Sequence, residues 1–132
     1  MTRNKTYVAE DTVWRGIKAR KHREPMPTSE VRRILDRFGL EDWQIKRVTS
    51  SGGACRLQSR LITIGRLAPA WVTYHELGHA LGVTHGHNPV FRAEYVRVVR
   101  AELGDYWAHR LETAFRRAGL QVGLMTSVTK GA

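Results

Sequence analysis

The residues best suited to chemistry lie in one short stretch, His75-Glu76-Leu77-Gly78-His79. Two histidines that stand four positions apart project from one face of a helix, one turn above the other. This spacing suits two imidazole ligands of a single tetrahedral Zn²⁺ ion. Glu76 follows the first histidine, and its carboxylate can reach a water molecule on the open metal position and act as general base. The pattern therefore predicts a zinc-activated hydrolytic centre, and the simpler alternative is an amphipathic helix with two ordinary histidines.

A catalytic zinc ion usually has three protein ligands, and two later histidines could supply the third. His85 completes the pattern H-E-x-x-H-x-x-G-x-x-H of metzincin peptidases, in which Gly82 would let the chain turn back to the metal. Met125 could then be read as the methionine turn of such enzymes. His87 precedes Asn88-Pro89, a strong helix start, from which its side chain can point back to the first two histidines. The residues alone leave both candidates open.

Several segments of the chain resemble a small actinobacterial and phage metallohydrolase family, which is related to the SprT-like, minigluzincin-type zinc metalloproteases. The similar segments are residues 5–15, 72–81, 87–91 and 111–119. The segment 87–91 looks like the H-G-P-x-F element that carries the third zinc ligand of SprT-like enzymes. This chain differs by having Asn88 in place of the glycine and a shorter spacer before His87.

The resemblance implies a ligand set and a catalyst. Carried over to this sequence, it implies that His75, His79 and His87 bind Zn²⁺ and that Glu76 is the catalytic residue. His85 would then lie near the metal or on the surface without binding it.

The hydrophobic patterning predicts a single small α+β domain, in which a short, mainly antiparallel three-stranded sheet packs against several helices. Helices are predicted over residues 7–19, 28–38, 69–82, 89–103 and 105–118, and strands over 43–49, 54–58 and 60–65. The chain would comprise an N-terminal segment, 1–27, that includes the basic linker 18–23, and a core, 28–132. Gly78 is expected to let the metal helix pack closely. The strand 60–65 is expected to present its edge to a peptide.

The composition of the chain indicates in which cellular compartment it acts and what kind of partner it binds. The 22 Lys and Arg outnumber the 12 Asp and Glu, a net charge of +10 that favours either nucleic acid as a partner or a solvated basic surface. The single Cys55 excludes an intrachain disulfide and a cysteine-rich zinc site, and we expect it to pack as a small apolar residue. His22 and His109 are expected to be exposed. No apolar run is long enough to span a membrane and no signal peptide is visible, so we expect a cytoplasmic protein of a bacterium or of an infected host cell.

These observations predict a zinc-dependent metallopeptidase or related metallohydrolase that acts on a protein or peptide, in a nucleic-acid context. Zinc would activate a water molecule, Glu76 would take its proton, and Tyr74 or Tyr95 is a candidate to stabilise the oxyanion. The first alternative is a basic nucleic-acid-binding or interaction module with a structural zinc ion bound by four histidines. The second is a metzincin-like peptidase that uses His85 as the third ligand.

Overall fold

Five α-helices, one 3₁₀ helix and three strands make up residues 4–123, the part of the chain that the computed structural model describes. In chain order these elements are α1 (Lys5–Trp14), the 3₁₀ helix (Ile17–Arg23), α2 (Thr28–Arg37), β1 (Gln44–Val48), β2 (Gly53–Arg56), β3 (Leu61–Gly65), α3 (Ala70–Gly82), α4 (Pro89–Leu103) and α5 (Asp105–Arg117). The predicted α+β class is confirmed. No helix within residues 4–123 is long and apolar enough to cross a membrane.

The three strands form one mixed sheet in the order β1-β3-β2. β2 and β3 form the predicted antiparallel hairpin, but β1 runs parallel to β3 on its other side, so the sheet is not mainly antiparallel. β3 takes the central position because Ile62 and Ile64 are its most deeply buried side chains. The expectation that β3 offers its edge to a peptide is therefore wrong, since both of its edges are paired.

α3 lies at the centre of the molecule, between the sheet and α4, and most of its side chains are buried. Gly78 lies at the contact between α3 and α4. A Cβ atom at this position would lie 2.9 Å from Phe91 Cε1 and 3.1 Å from Tyr95 Cβ. The absence of a side chain thus permits the close packing that the sequence predicted.

One face of α1 packs into the hydrophobic core. Val13 and Trp14 are completely or almost completely buried. The Trp14 ring stacks on Trp107 of α5 and on Trp71 of α3, with centroids 5.6 and 6.3 Å away. The N-terminal segment therefore supplies part of the core on which α3 rests.

The basic segment 18–23 is folded rather than extended, and it lies in the 3₁₀ helix. Ala19 and His22 are buried, and the His22 ring packs edge-on against Trp14 at 5.9 Å between centroids. The expectation that His22 is exposed is wrong, because the 3₁₀ helix turns this face of the basic run onto the tryptophans. His109 is exposed, as predicted.

Candidate metal centre

Three histidines converge at the carboxyl-terminal half of α3. His75 and His79 stand one turn apart on α3 and are each 6% exposed, and His87 reaches them from the loop before α4. One ligand atom from each lies within 4.8 Å of the other two. The Nε2 atoms of His75 and His87 are 3.2 Å apart. Two imidazole nitrogens on one tetrahedral Zn²⁺ ion would be about 3.3 Å apart, given a Zn–N bond of about 2.0 Å, so the three side chains fit one metal ion.

A hydrogen-bonded loop carries His87 into position. α3 ends at Gly82, and Val83 adopts the left-handed conformation, with φ of 49°, that turns the chain back. The carbonyl oxygen of Thr84 accepts a hydrogen bond from His79 Nδ1 at 2.9 Å, and its hydroxyl oxygen accepts one from the Asn88 amide at 2.9 Å. The Asn88 side-chain oxygen caps α4 by accepting the Phe91 N–H at 3.0 Å. The predicted helix start is thus confirmed, and it fixes the residue after His87.

His85, the alternative third ligand, has a different position. Its side chain is exposed, and within residues 4–123 the group that could hold a metal comprises His75, His79 and His87 without it. His85 lines the cavity over the three histidines. Met125, the candidate for a methionine turn, lies outside the described residues.

Glu10 of α1, which the sequence analysis missed, supports His75 from behind. This carboxylate is 1% exposed, and its Oε2 atom accepts a 2.6 Å hydrogen bond from His75 Nδ1 and a 2.7 Å bond from the Tyr95 hydroxyl. Trp14 Nε1 donates in turn to the Tyr95 oxygen at 3.0 Å. A carboxylate behind a ligating histidine fixes the proton on Nδ1 and leaves Nε2 free for the metal. The available signal was that Glu10 shares a helix face with Tyr7 and Trp14.

His79 is oriented in the same way by a backbone group. Its Nδ1 atom faces the Thr84 carbonyl oxygen, which can only accept, so the proton lies on Nδ1 and Nε2 is available. Burial, with the nearby charge of His75, lowers the pKa of His79 to about 4. Burial also lowers the pKa of His87. Both imidazoles are therefore neutral near pH 7, which is the form that binds a metal ion.

The pKa of His75 responds to two opposing effects. Burial lowers it, but the hydrogen bond from His75 to Glu10 and the charges of Glu10 and Glu76 raise it, and the net shift is upward. His75 is thus held in an electronegative environment that would also favour a bound cation.

Glu76 lines a cavity of about 210 Å³ together with the three histidines. The residue is 6% exposed. Burial raises the pKa of Glu76 to about 7, partly opposed by His75 and reinforced by Glu10. A carboxylate whose pKa is near neutrality can both accept and release a proton at physiological pH, which suits a general base.

Neither tyrosine singled out in the sequence is placed to stabilise an oxyanion. The Tyr95 hydroxyl is completely buried and is bound by Glu10 and Trp14. Tyr74 is buried, and burial, together with the negative charges of Glu102 and Glu30, raises its pKa to about 12. A third tyrosine, Tyr7, is 44% exposed and lines the cavity, with its ring centroid 5.3 Å from that of His87.

β2 also lines the cavity, through Gly53 and Cys55. Cys55 on this strand is half-buried, and burial, with the charge of Glu76, raises its pKa to about 12. The thiol is therefore protonated, as expected of a packing residue rather than a nucleophile. Gly53 lies so close to α3 that a Cβ atom there would be 2.8 Å from Val72 Cγ1 and 3.1 Å from Glu76 Cγ. This close approach brings the strand beside the carboxylate.

Comparisons with protein-family models, with curated proteins and with solved structures found no match. Three imidazoles converge with one ligand atom of each within 4.8 Å of the others, the buried Glu10 carboxylate orients His75, and the Glu76 carboxylate lines the same cavity. Three histidines thus lie close enough to bind one metal ion.

Proposed function

We propose that this protein is a zinc-dependent metallopeptidase or closely related metallohydrolase. His75, His79 and His87 would hold Zn²⁺, and Glu76 would act as the general base. The observation that carries the proposal is the convergence of the three imidazoles within 4.8 Å, beside a cavity that Glu76 lines. A closed structural zinc site would need a fourth protein ligand, and within residues 4–123 the group that could hold a metal has three.

Zinc, when bound, would polarise the scissile carbonyl group and lower the pKa of a water molecule. The protein side chains would transfer the proton and orient the metal ligands. Glu76 would take the proton of the water and pass it to the leaving amine. Glu10 would hold the His75 ring in the orientation that directs Nε2 to the metal. Tyr7, at the mouth of the cavity, lies on the side from which a substrate would enter.

The position of β2 supports a peptide as the substrate class. Within the described part of the chain, no strand pairs with the outer edge of β2. An extended peptide could add to that edge through backbone hydrogen bonds. Because Gly53 lies close to Glu76, the backbone of such a peptide would then lie near the carboxylate proposed as the general base. β2 thus takes the role that the sequence analysis had assigned to β3.

The basic 3₁₀ helix supports the proposed nucleic-acid context. Lys18, Arg20 and Lys21 are exposed on it, and the chain as a whole carries a net charge of +10. Exposed cations of this kind bind phosphate backbones through counterion release, which makes the affinity depend strongly on salt. Replacing the three with glutamine should weaken binding to duplex DNA or RNA and reduce its salt dependence. An unchanged salt dependence would remove this part of the proposal.

The principal test compares Glu76→Gln with the parent protein. Glu76→Gln should retain zinc, measured by elemental analysis, and should lose hydrolysis of a mixed peptide library by about 100-fold or more. Glu41→Gln, which removes an exposed carboxylate, is the matched control and should cleave normally. Full activity in Glu76→Gln, or a parent protein that binds no zinc when it is supplied, would contradict the proposal.

The ligand set is tested separately by two histidine variants. His87→Ala should weaken zinc binding by about 10-fold or more, whereas His85→Ala should bind zinc as the parent does. Loss of zinc in both variants would instead support the module with a structural zinc ion. Loss in His85→Ala alone would support the metzincin-like alternative.

A further inference from the structure

The chain after α5 returns to the start of α4. Gly119 adopts a positive φ of 81°, and the Leu120 N–H donates to the Phe115 carbonyl, which ends the helix and reverses the chain. Residues 121–123 then lie against the first turn of α4. The N–H of Gly123 donates to the carbonyl oxygen of Pro89 at 2.9 Å. This segment therefore contacts the helix start that follows His87.

Arg92 joins the same segment to His87 itself. Its side chain is on the first turn of α4, and the residue is 5% exposed. Nε donates to the Gln121 carbonyl oxygen at 2.5 Å, and Nη1 donates to the His87 carbonyl oxygen. Burial lowers the pKa of Arg92, and the acceptors of these two bonds are backbone carbonyl oxygens rather than a carboxylate. A buried arginine held by carbonyl oxygens has a cost in desolvation, so its position needs a structural reason.

We propose that Arg92 and residues 121–123 form a strap that positions His87 for metal binding. The inference rests on the proposed metal site, but not on the peptidase activity. His87 lies in a loop of largely exposed residues, yet its Nε2 must stay near that of His75. The planar guanidinium fixes the His87 carbonyl relative to the Gln121 carbonyl, because its donors point in set directions. The hydrogen bond from the Gly123 N–H to the Pro89 carbonyl oxygen holds the backbone of the first turn of α4.

Two full-length variants loosen the strap in different ways. Arg92→Lys keeps the positive charge but loses the fork that reaches two carbonyl groups at once. Gly123→Pro removes the donating N–H and cannot adopt the positive φ of 90° that Gly123 has. Each should weaken Zn²⁺ binding by about 10-fold in competition with a chromophoric chelator, the lower end of the range for residues that orient metal ligands. Arg97→Lys, an exposed arginine on the same helix, is the control and should bind zinc normally.

A double-mutant cycle shows whether the strap acts through His87. In a His87→Ala background, Arg92→Lys and Gly123→Pro should leave the residual zinc affinity unchanged, because the side chain they position is gone. Equal losses in both backgrounds would mean that the strap supports the whole fold, and no loss in either would mean that it does not hold His87. Either result overturns the inference.

Hydrogen exchange on the metal-free protein separates this inference from the proposed function. Both strap variants should accelerate exchange of the backbone amides of residues 84–88, while the amides in the middle of α3 remain protected. A parent protein that binds no zinc would refute the proposed function. Unchanged exchange at 84–88 would refute the strap, whatever the zinc result.

Discussion

The clearest consequence of the structure concerns Glu10, which lies 65 residues before the histidine that it supports. Its Oε2 atom accepts hydrogen bonds from both His75 and Tyr95, and its Oε1 atom is buried with no partner among the described residues. Glutamine at this position can place its carbonyl oxygen where Oε2 lies and keep both bonds. Alanine loses both. The two substitutions therefore separate the charge of Glu10 from its hydrogen bonds.

The expected change in the free energy of unfolding follows from the polar groups that each variant leaves unpaired. Glu10→Ala leaves two buried donors, His75 Nδ1–H and the Tyr95 hydroxyl, without an acceptor. At about 1–3 kcal/mol for each unpaired donor, the free energy of unfolding should fall by about 2–6 kcal/mol. Such a loss is a large part of the about 5–15 kcal/mol that stabilises an ordinary domain. Glu10→Gln keeps both bonds but places its amide NH₂ at the buried position of Oε1, which has no partner among the described residues, so its stability should lie between those of the parent and Glu10→Ala. It should bind Zn²⁺ about 10–100-fold more weakly than the parent does, because a neutral amide makes His75 a less basic ligand.

Urea unfolding in the presence of a chelator measures the stability of the three proteins, and zinc competition measures the affinity. Glu41→Gln, which removes an exposed carboxylate outside α1, is the matched control. If Glu10→Ala unfolds within about 0.5 kcal/mol of the parent, the two buried bonds do not have the value assigned to them. If Glu10→Gln binds zinc as tightly as the parent, the carboxylate does not tune the metal site.

Three further outcomes are expected. Because burial raises the pKa of Cys55 to about 12, iodoacetamide at pH 8 should modify it at least about 10-fold more slowly in the folded than in the urea-unfolded protein. Burial lowers the pKa of His22, so the unfolded state binds its proton more readily and stability should fall as the pH drops below about 6.5. His22→Leu should remove its share of that dependence between about pH 7 and 5 in urea titrations of the metal-free protein, and the remainder comes from His79 and His87, whose pKa values burial also lowers. Gly78→Ala should lower the free energy of unfolding by about 1–3 kcal/mol, because its Cβ would contact Phe91, whereas Gly16→Ala, with no heavy atom within 4 Å of its Cβ, should cost much less in the same thermal melts.

The parts of the site that could be predicted are those determined by local geometry. Helical periodicity alone places His75, Glu76 and His79 on neighbouring turns, whatever surrounds the helix. The start of α4 was equally local, because Asn88 and the proline after it form a cap within a few residues. Since His87 directly precedes that cap, the same signal made it a candidate for the third ligand, but it did not exclude His85.

The parts that could not be predicted depend on how distant elements pair. The burial of Ile62 and Ile64 agrees with the central place of β3 in the sheet. The sequence pattern of a β2–β3 hairpin is equally compatible with a sheet in which β3 lies at the edge. A glutamate on an N-terminal helix is ordinarily a surface residue. Only the packing of α1 against α3 and α5 reveals that Glu10 is buried.

Trp14 shows why fold and site could not be separated along the sequence. Its ring stacks between Trp71 and Trp107 in the core, and its indole N–H donates to the Tyr95 hydroxyl. That hydroxyl donates to Glu10, which in turn accepts from His75. A side chain that an apolar pattern marks only as core is thus the first member of a hydrogen-bonded chain that ends at Nδ1 of His75, whose other ring nitrogen faces His87. Because each member fixes the next, the N-terminal helix contributes both to the core and to the orientation of the histidine.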